Sequence, residues 1–175
     1  MSGPSVLAID PGTTRSAIVV LGEDGSITSA IHEDNPRILD LLRSTSVGAF
    51  PYAVALEMVA SYGMAVGREV FETVFWAGRF AEALASNGHR CVAVYRADVK
   101  LHLCRSARAK DGNVRQALLD LYPRTGGGKV PQVGTKQRPG PLFGISGDLW
   151  AALGVAVTYR SAPDTFRPVG EWSAP

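Results

Sequence analysis

The sequence predicts a mixed α/β fold in which helices pack on a five-stranded sheet, with the first three strands forming an antiparallel meander. Three observations predict it. Short apolar, β-branched runs alternate with stretches of helical periodicity. The runs are punctuated by turn clusters and by no linker that would divide two cores. No internal repeat appears, and 175 residues suit one domain.

The elements follow in order. Val6-Leu7-Ala8-Ile9 is a buried strand that stops at Asp10-Pro11-Gly12. Ser16 to Leu21 is a second strand, rich in β-branched and aliphatic residues. The turn cluster Gly22-Glu23-Asp24-Gly25 leads to a third strand, Ile27 to Ile31. A short helix follows Pro36, with Asn35 as cap and Ile38, Leu41 and Leu42 on its apolar face. Ala53-Val54-Ala55-Leu56 is a fourth strand that ends at Glu57. A long helix runs from about Gly67 to Ser86, with Val70, Val74, Ala77, Phe80 and Leu84 at helical spacing and Asn87-Gly88 as its stop. Cys91 to Tyr95 is the fifth strand. Val99 to Cys104 and Val114 to Leu121 are two further helices. Thr125 to Pro141 is rich in Gly, Pro and basic residues and reads as a flexible loop. Ser146 can cap a last helix from about Gly147 to Tyr159. The domain is expected to span residues 1–160, followed by an irregular or loosely docked tail over 161–175 that carries three prolines.

Composition narrows the function classes. Apolar residues make up 46% of the chain, enough for a real core. No run reaches the ~18–20 apolar residues that cross a bilayer, and Met-Ser-Gly-Pro-Ser does not open a secretory signal. A cytoplasmic protein is expected, with no membrane partner. Cys91 and Cys104 form no zinc-type spacing and are expected to be ordinary thiols, and the histidines follow no metal-ligand spacing either. The net charge of +2 hides an asymmetry. Residues 96–138 hold ten Lys or Arg against three Asp, a segment charge of +7, while the rest of the chain is −5. Such concentration points to a polyanion, although a solvated basic loop would look the same.

Three carboxylates stand at telling places: Asp10 ends the first strand, Glu57 ends the fourth, and Asp148 opens the last helix. Sites in open α/β sheets form at the carboxyl ends of strands. If the first and fourth strands are neighbours, Asp10 and Glu57 converge, and a crossing helix could bring Asp148 to them. Clustered carboxylates repel unless a cation joins them, and hard oxygen donors suit Mg²⁺ or Mn²⁺ better than zinc. Each acid also has a plainer explanation. Asp10 could form the Pro-Gly turn, and Asp148 could serve the helix dipole. Glu57 is hardest to dismiss, because it follows four apolar residues where an unpaired charge is costly.

The order and spacing of these motifs resemble the RuvC-type Holliday-junction resolvases of the RNase H-like nuclease superfamily, phage-encoded members above all. The resemblance rests on Leu7-Ala8-Ile9-Asp10-Pro11-Gly12 with Ala17, on Ala55-Leu56-Glu57, on Asp98-Val99-Lys100 with Arg108-Ala109-Lys110 and Val114, and on Gly147-Asp148-Leu149-Trp150-Ala151-Ala152-Leu153. It implies an RNase H-like sheet with helices on both faces, a homodimer, and a four-way DNA junction, or related flaps or forks, as partner. It also implies hydrolysis to 5′-phosphate and 3′-hydroxyl ends with Mg²⁺ (Mn²⁺ substituting), two ions ~4 Å apart held by Asp10, Glu57 and Asp148. Lys100, Arg105, Arg108, Lys110 and Arg115 would contact the DNA backbone, and Lys129, Lys136 and Arg138 a second arm. Tyr62 or Met64 could stack on unpaired bases, with a core or dimer role as the first expectation. Phe71, Phe75, Trp76 and Phe80 exceed one core face, so core packing or a dimer seam is expected of them. One departure stands out. Many relatives carry an Asp or His a helical turn before the last acid, where this chain has Gly144-Ile145, and Asp111 stands where relatives often have a basic residue and could compensate.

Two other classes fit part of the pattern. Ile9-Asp10-Pro11-Gly12-Thr13-Thr14 also resembles the first phosphate loop of actin-like ATPases and sugar kinases, but 175 residues hold one lobe and show no second such loop. A catalytically inactive DNA-binding module of the same fold would have no need of three acids facing phosphate. Gly126-Gly127-Gly128-Lys129 is no Walker loop, since Val130 replaces the Ser or Thr that meets Mg²⁺.

Overall fold

A computed structural model describes residues 3–44, 52–61, 63 and 65–170. The expected roles of Tyr62 and Met64 fall outside the described residues.

Five strands form one sheet: β1 (Val6–Asp10), β2 (Arg15–Leu21), β3 (Ile27–Asp34), β4 (Ala53–Met58) and β5 (Cys91–Tyr95). Their order is β3-β2-β1-β4-β5, with β1–β2 and β2–β3 antiparallel and β1–β4 and β4–β5 parallel. The adjacency of β1 and β4 on which convergence of the acids depends is therefore present. The helices are α1 (Asn35–Ser44), α2 (Arg68–Ser86), α3 (Arg96–Cys104), α4 (Asp111–Asp120) and α5 (Leu149–Ser161). Among the described residues no helix is long and apolar enough to cross a membrane.

The alternation of the strands sorts the core into two layers. Val6, Ala8, Ala17, Val19, Ala55 and Val94 pack with α5 and its neighbours α3 and α4. Leu7, Ile9, Ile18, Val54 and Leu56 pack with α1 and α2 on the opposite face. α5 is apolar almost all round, and residues 152–158 are all buried. A helix of that kind must be covered on several sides; here it lies on β1 and β2 with α3 and α4 beside it.

Several local expectations need correction. In α1 the buried side chains are Ile38, Leu39 and Leu42, while Leu41 is exposed. The helix turns a slightly different stripe inward than the one the sequence suggested. In α2 burial is confined to the second half, at Ala77, Phe80, Ala81, Ala83 and Leu84, and Val74 is exposed. β3 runs to Asp34 rather than Ile31, which adds His32 to the sheet. Ser146 does not cap α5: Asp148 is the cap residue, and its side chain makes no cap hydrogen bond.

The Gly/Pro-rich stretch is not an open, flexible loop. Gly126 and Gly127 donate to the carbonyls of Pro131 (2.8 Å) and Arg138 (2.9 Å), and Gly140 and Leu142 donate to those of Val133 (3.0 Å) and Gln132 (2.8 Å). Gln132, itself buried, donates to the Leu119 carbonyl at 3.1 Å. Gly134 sits at φ 78°, and a Cβ there or on Gly140 would strike the facing backbone. Glycine here permits close backbone packing, and the stretch folds into a compact unit anchored by buried Leu142 and Ile145. Residues beyond α5 also pair: Ala93 donates to the Arg167 carbonyl (3.0 Å) and Val169 to that of Cys91 (2.8 Å), so 167–169 run beside β5.

Candidate active site

Strand register assembles the site. Asp10 pairs with Ala17 and Ala17 with His32, while Ile9 pairs with Leu56 and Glu57 with Val94. Paired residues point to one face. Val94, Glu57, Asp10, Ala17 and His32 thus form a row across all five strands, on the face that α5 covers. Asp148 immediately precedes α5, and its backbone carbonyl accepts from Ala151 (3.0 Å) and Ala152 (3.2 Å) while its carboxylate stays off the helix N–H groups. That leaves the carboxylate available to the row. Asp10, Glu57 and Asp148 line one cleft of about 200 Å³, with Arg96, Lys100, Asp111 and Arg115 around them.

The turn after Asp10 is fixed by a small polar network. The Ser16 hydroxyl donates to Asn35 Oδ1 at 2.6 Å and accepts from the Gly12 N–H at 3.1 Å, and Asn35 Nδ2 donates to the Gly12 carbonyl at 2.9 Å. Asn35 and Ser16 are both buried. Gly12 runs so close to the Arg15 carbonyl that a Cβ would clash with it. The network holds the chain at Asp10 in one path, and Asn35 spends its side chain on it as well as opening α1.

The acids are under electrostatic stress. Burial, then the hydrogen bond to Glu57 and its charge, push the Asp10 carboxyl up to about 9, with Asp148 adding to the rise. Glu57 is only 6% exposed, and Arg96 Nη1 donates to its Oε1 at 3.1 Å. Burial works against the charge of Arg96, but Glu57 and Asp111 outweigh it and raise its pKa. Arg96 Nη2 reaches Asp111 Oδ1 at 3.0 Å, and Lys100 Nζ lies 3.7 Å from the same oxygen. On the other flank His32 Nε2 lies 3.3 Å from Asp148 Oδ2. Acids crowded into one cleft, with Arg96 beside Glu57, are a donor set suited to a hard divalent ion. Among the described residues no three His, Cys, Asp or Glu side chains are gathered closely enough to hold one as they stand.

Arg96 was outside the sequence-derived set, as was His32. Arg96 opens α3 directly after β5, the strand next to Glu57, so its place in the chain was a usable signal. Replacing it with Ala leaves a buried Glu57 without its partner. Because Arg96 is 45% exposed, the expected destabilisation is about 1–2 kcal/mol, read from urea unfolding in EDTA; an unchanged midpoint would deny the pair any structural weight.

The remaining basic residues divide. Lys100 and Arg115 line the cleft, and the Arg115 guanidinium stacks 5.0 Å from the centre of the Trp150 ring. Arg105, at the left-handed end of α3, and Arg108 and Lys110, before α4, are exposed outside the cleft lining. Lys129, Lys136 and Arg138 are exposed on the compact loop and do not line the cleft either. Asp111 lies in the cleft but is engaged by two cations.

No family model matches this sequence, and no curated protein matches it. Solved structures do. The chain is similar to Thermus thermophilus RuvC with a TM-score of 0.68 at 20% identity, over 94% of this chain and 99% of that one. It is equally similar to T. thermophilus RuvC in complex with a Holliday junction substrate, with a TM-score of 0.68 at 21% identity, over 95% and 99%. The chain has the fold of these resolvases across nearly its whole length.

Proposed function

On this fold, we propose that the chain is a metal-dependent endonuclease that cuts branched DNA, four-way junctions foremost, leaving 5′-phosphate and 3′-hydroxyl ends. The observation that carries the reading is the convergence of Asp10, Glu57 and Asp148 from two strand ends and a helix start into one cleft beside basic side chains. These three acids would hold the divalent ion or ions, Mg²⁺ with Mn²⁺ as substitute. When bound, such an ion supplies charge neutralisation at the phosphate and a more acidic water.

The chain's own residues do the rest. Asp10, fixed by the Gly12–Ser16–Asn35 network, sets the position of the acidic row. Lys100 and Arg115 meet the phosphates nearest the cut, and Arg105, Arg108 and Lys110 extend the track along the backbone. Lys129, Lys136 and Arg138 offer a second basic surface of fixed shape. Such contacts give affinity and register but no base preference. A second copy of the chain would complete the enzyme, because a four-way junction needs two symmetric incisions. With DNA as substrate, the cytoplasm is the place of action.

The test is cleavage of an end-labelled synthetic four-way junction beside linear duplex, with Mg²⁺, with Mn²⁺ and with EDTA. Paired, metal-dependent nicks near the crossover are expected on the junction and none on the duplex. Tight junction binding without cleavage in either metal would replace this reading with an inactive DNA-binding module of the same fold.

A further inference from the structure

His32 belongs to the acidic row by register, yet no sequence pattern marks it. Its Nε2 atom is buried and makes no hydrogen bond. Asp148 Oδ2 lies 3.3 Å from it without hydrogen-bond alignment. A buried ring nitrogen left in that condition is costly unless something else satisfies it. The row places Asp10 two strands away on the same face, with the small Ala17 between them.

We propose that His32 is a nitrogen donor to the divalent cation that Asp10 and Asp148 hold, supplied from the edge strand β3. This rests on the metal-dependent reading above. The two other candidates for an extra donor are weaker. Ile145 has no donor atom and is buried in the core, and Asp111 is already engaged by Arg96 and Lys100. His32 faces Asp148 on one flank of the site, opposite the flank where Arg96 meets Glu57. A set of carboxylate oxygens with one imidazole shifts preference from Mg²⁺ toward Mn²⁺, because imidazole is the softer donor. The imidazole already lies against Asp148, so little movement would bring both to one ion.

The experiment uses Mn²⁺ on the full chain without DNA, so that binding is read apart from cleavage. Calorimetry gives affinity, and pulsed electron paramagnetic resonance reports any nitrogen bonded to the ion. Wild type is expected to show a directly coupled nitrogen. His32→Gln should lose that coupling and bind Mn²⁺ about ten-fold more weakly, with a smaller loss for Mg²⁺; circular dichroism checks that the variant is folded. His32→Asn serves as the second variant should Gln perturb the edge strand. Mn²⁺ that binds wild type, is lost in Asp10→Asn and shows no nitrogen coupling would overturn the role of His32 and leave the metal-dependent reading standing. Coupling that persists in both His32 variants would also overturn it. Mn²⁺ binding unaffected by Asp10→Asn would sink both, because the ion would then lie elsewhere.

Discussion

Asp10→Asn should abolish cleavage while making the metal-free protein more stable. The first effect is expected to be about 10³-fold or greater, since an ion held at the site contributes several kcal/mol at the transition state. The second follows from the stressed acids. In the folded, metal-free chain the Asp10 carboxyl keeps its proton to about 9, against 3.8 for an ordinary aspartate. A carboxyl raised in this way contributes stability that is complete below about pH 4 and is lost as pH climbs toward 9, because the unfolded chain releases its proton first. Asparagine has no such proton to lose. The stability difference, mutant minus wild type, should therefore be small at pH 5 and grow to about 2 kcal/mol by pH 8, a figure kept well below the full linkage value because Asp10 and Glu57 titrate as a pair. Urea unfolding in EDTA at the two pH values measures it. Saturating Mn²⁺ should reverse the order, raising the melting temperature of wild type and leaving the mutant where it was. A mutant less stable than wild type at pH 8 in EDTA would mean that Asp10 is a structural residue.

What made this site legible in the sequence was the abrupt end of two apolar runs at Asp10 and Glu57, together with the helical stretch that starts at Asp148. Burial of the strands is written in their composition, so an acid at each end is conspicuous. His32 and Arg96 were not legible in the same way. His32 reaches the row only through the β2–β3 register, which depends on how Gly22 to Gly25 turns and on a shift between Val20 and Leu21; neither is readable from spacing. Arg96 looked like one basic residue among ten until α3 was seen to begin at it. The order of the compact loop is hidden in the sequence for a related reason. Glycine and proline content suggests freedom, but in Gly126, Gly134 and Gly140 the missing side chain lets backbones touch and bond. The misplaced face of α1 reflects a tertiary choice: Leu39 turns inward and Leu41 outward although both are leucine.

The first half of α2 carries the second large prediction. Phe71 and Phe75 are 64% and 61% exposed, and exposed Val74 lies on the same side of α2. Phe80 alone of the four aromatic residues is fully buried, and Trp76 is partly buried against the core. The core reading thus fails for Phe71 and Phe75, which one helical turn places on one side of α2. Arg79 lies 4.6 Å from the Trp76 ring centre and 5.6 Å from that of Phe75, closing one end of the patch with a charge. Covering one phenyl ring is worth about 1.5–3 kcal/mol. Around a two-fold axis four rings would be covered, about 6–12 kcal/mol before the cost of association, a large share of the drive that a dimer needs. Phe71→Glu with Phe75→Glu should remove that contribution and set four like charges face to face. Analytical ultracentrifugation is expected to show wild type as a dimer and the double variant as a monomer, with association weakened by about 10³-fold or more. Neither residue lines the cleft, so single-strand nicking should survive in the monomer while paired incision of one junction is lost. A wild type that sediments as a monomer at all concentrations would leave the aromatic surface to the DNA instead, and the double variant should then weaken junction binding without changing mass.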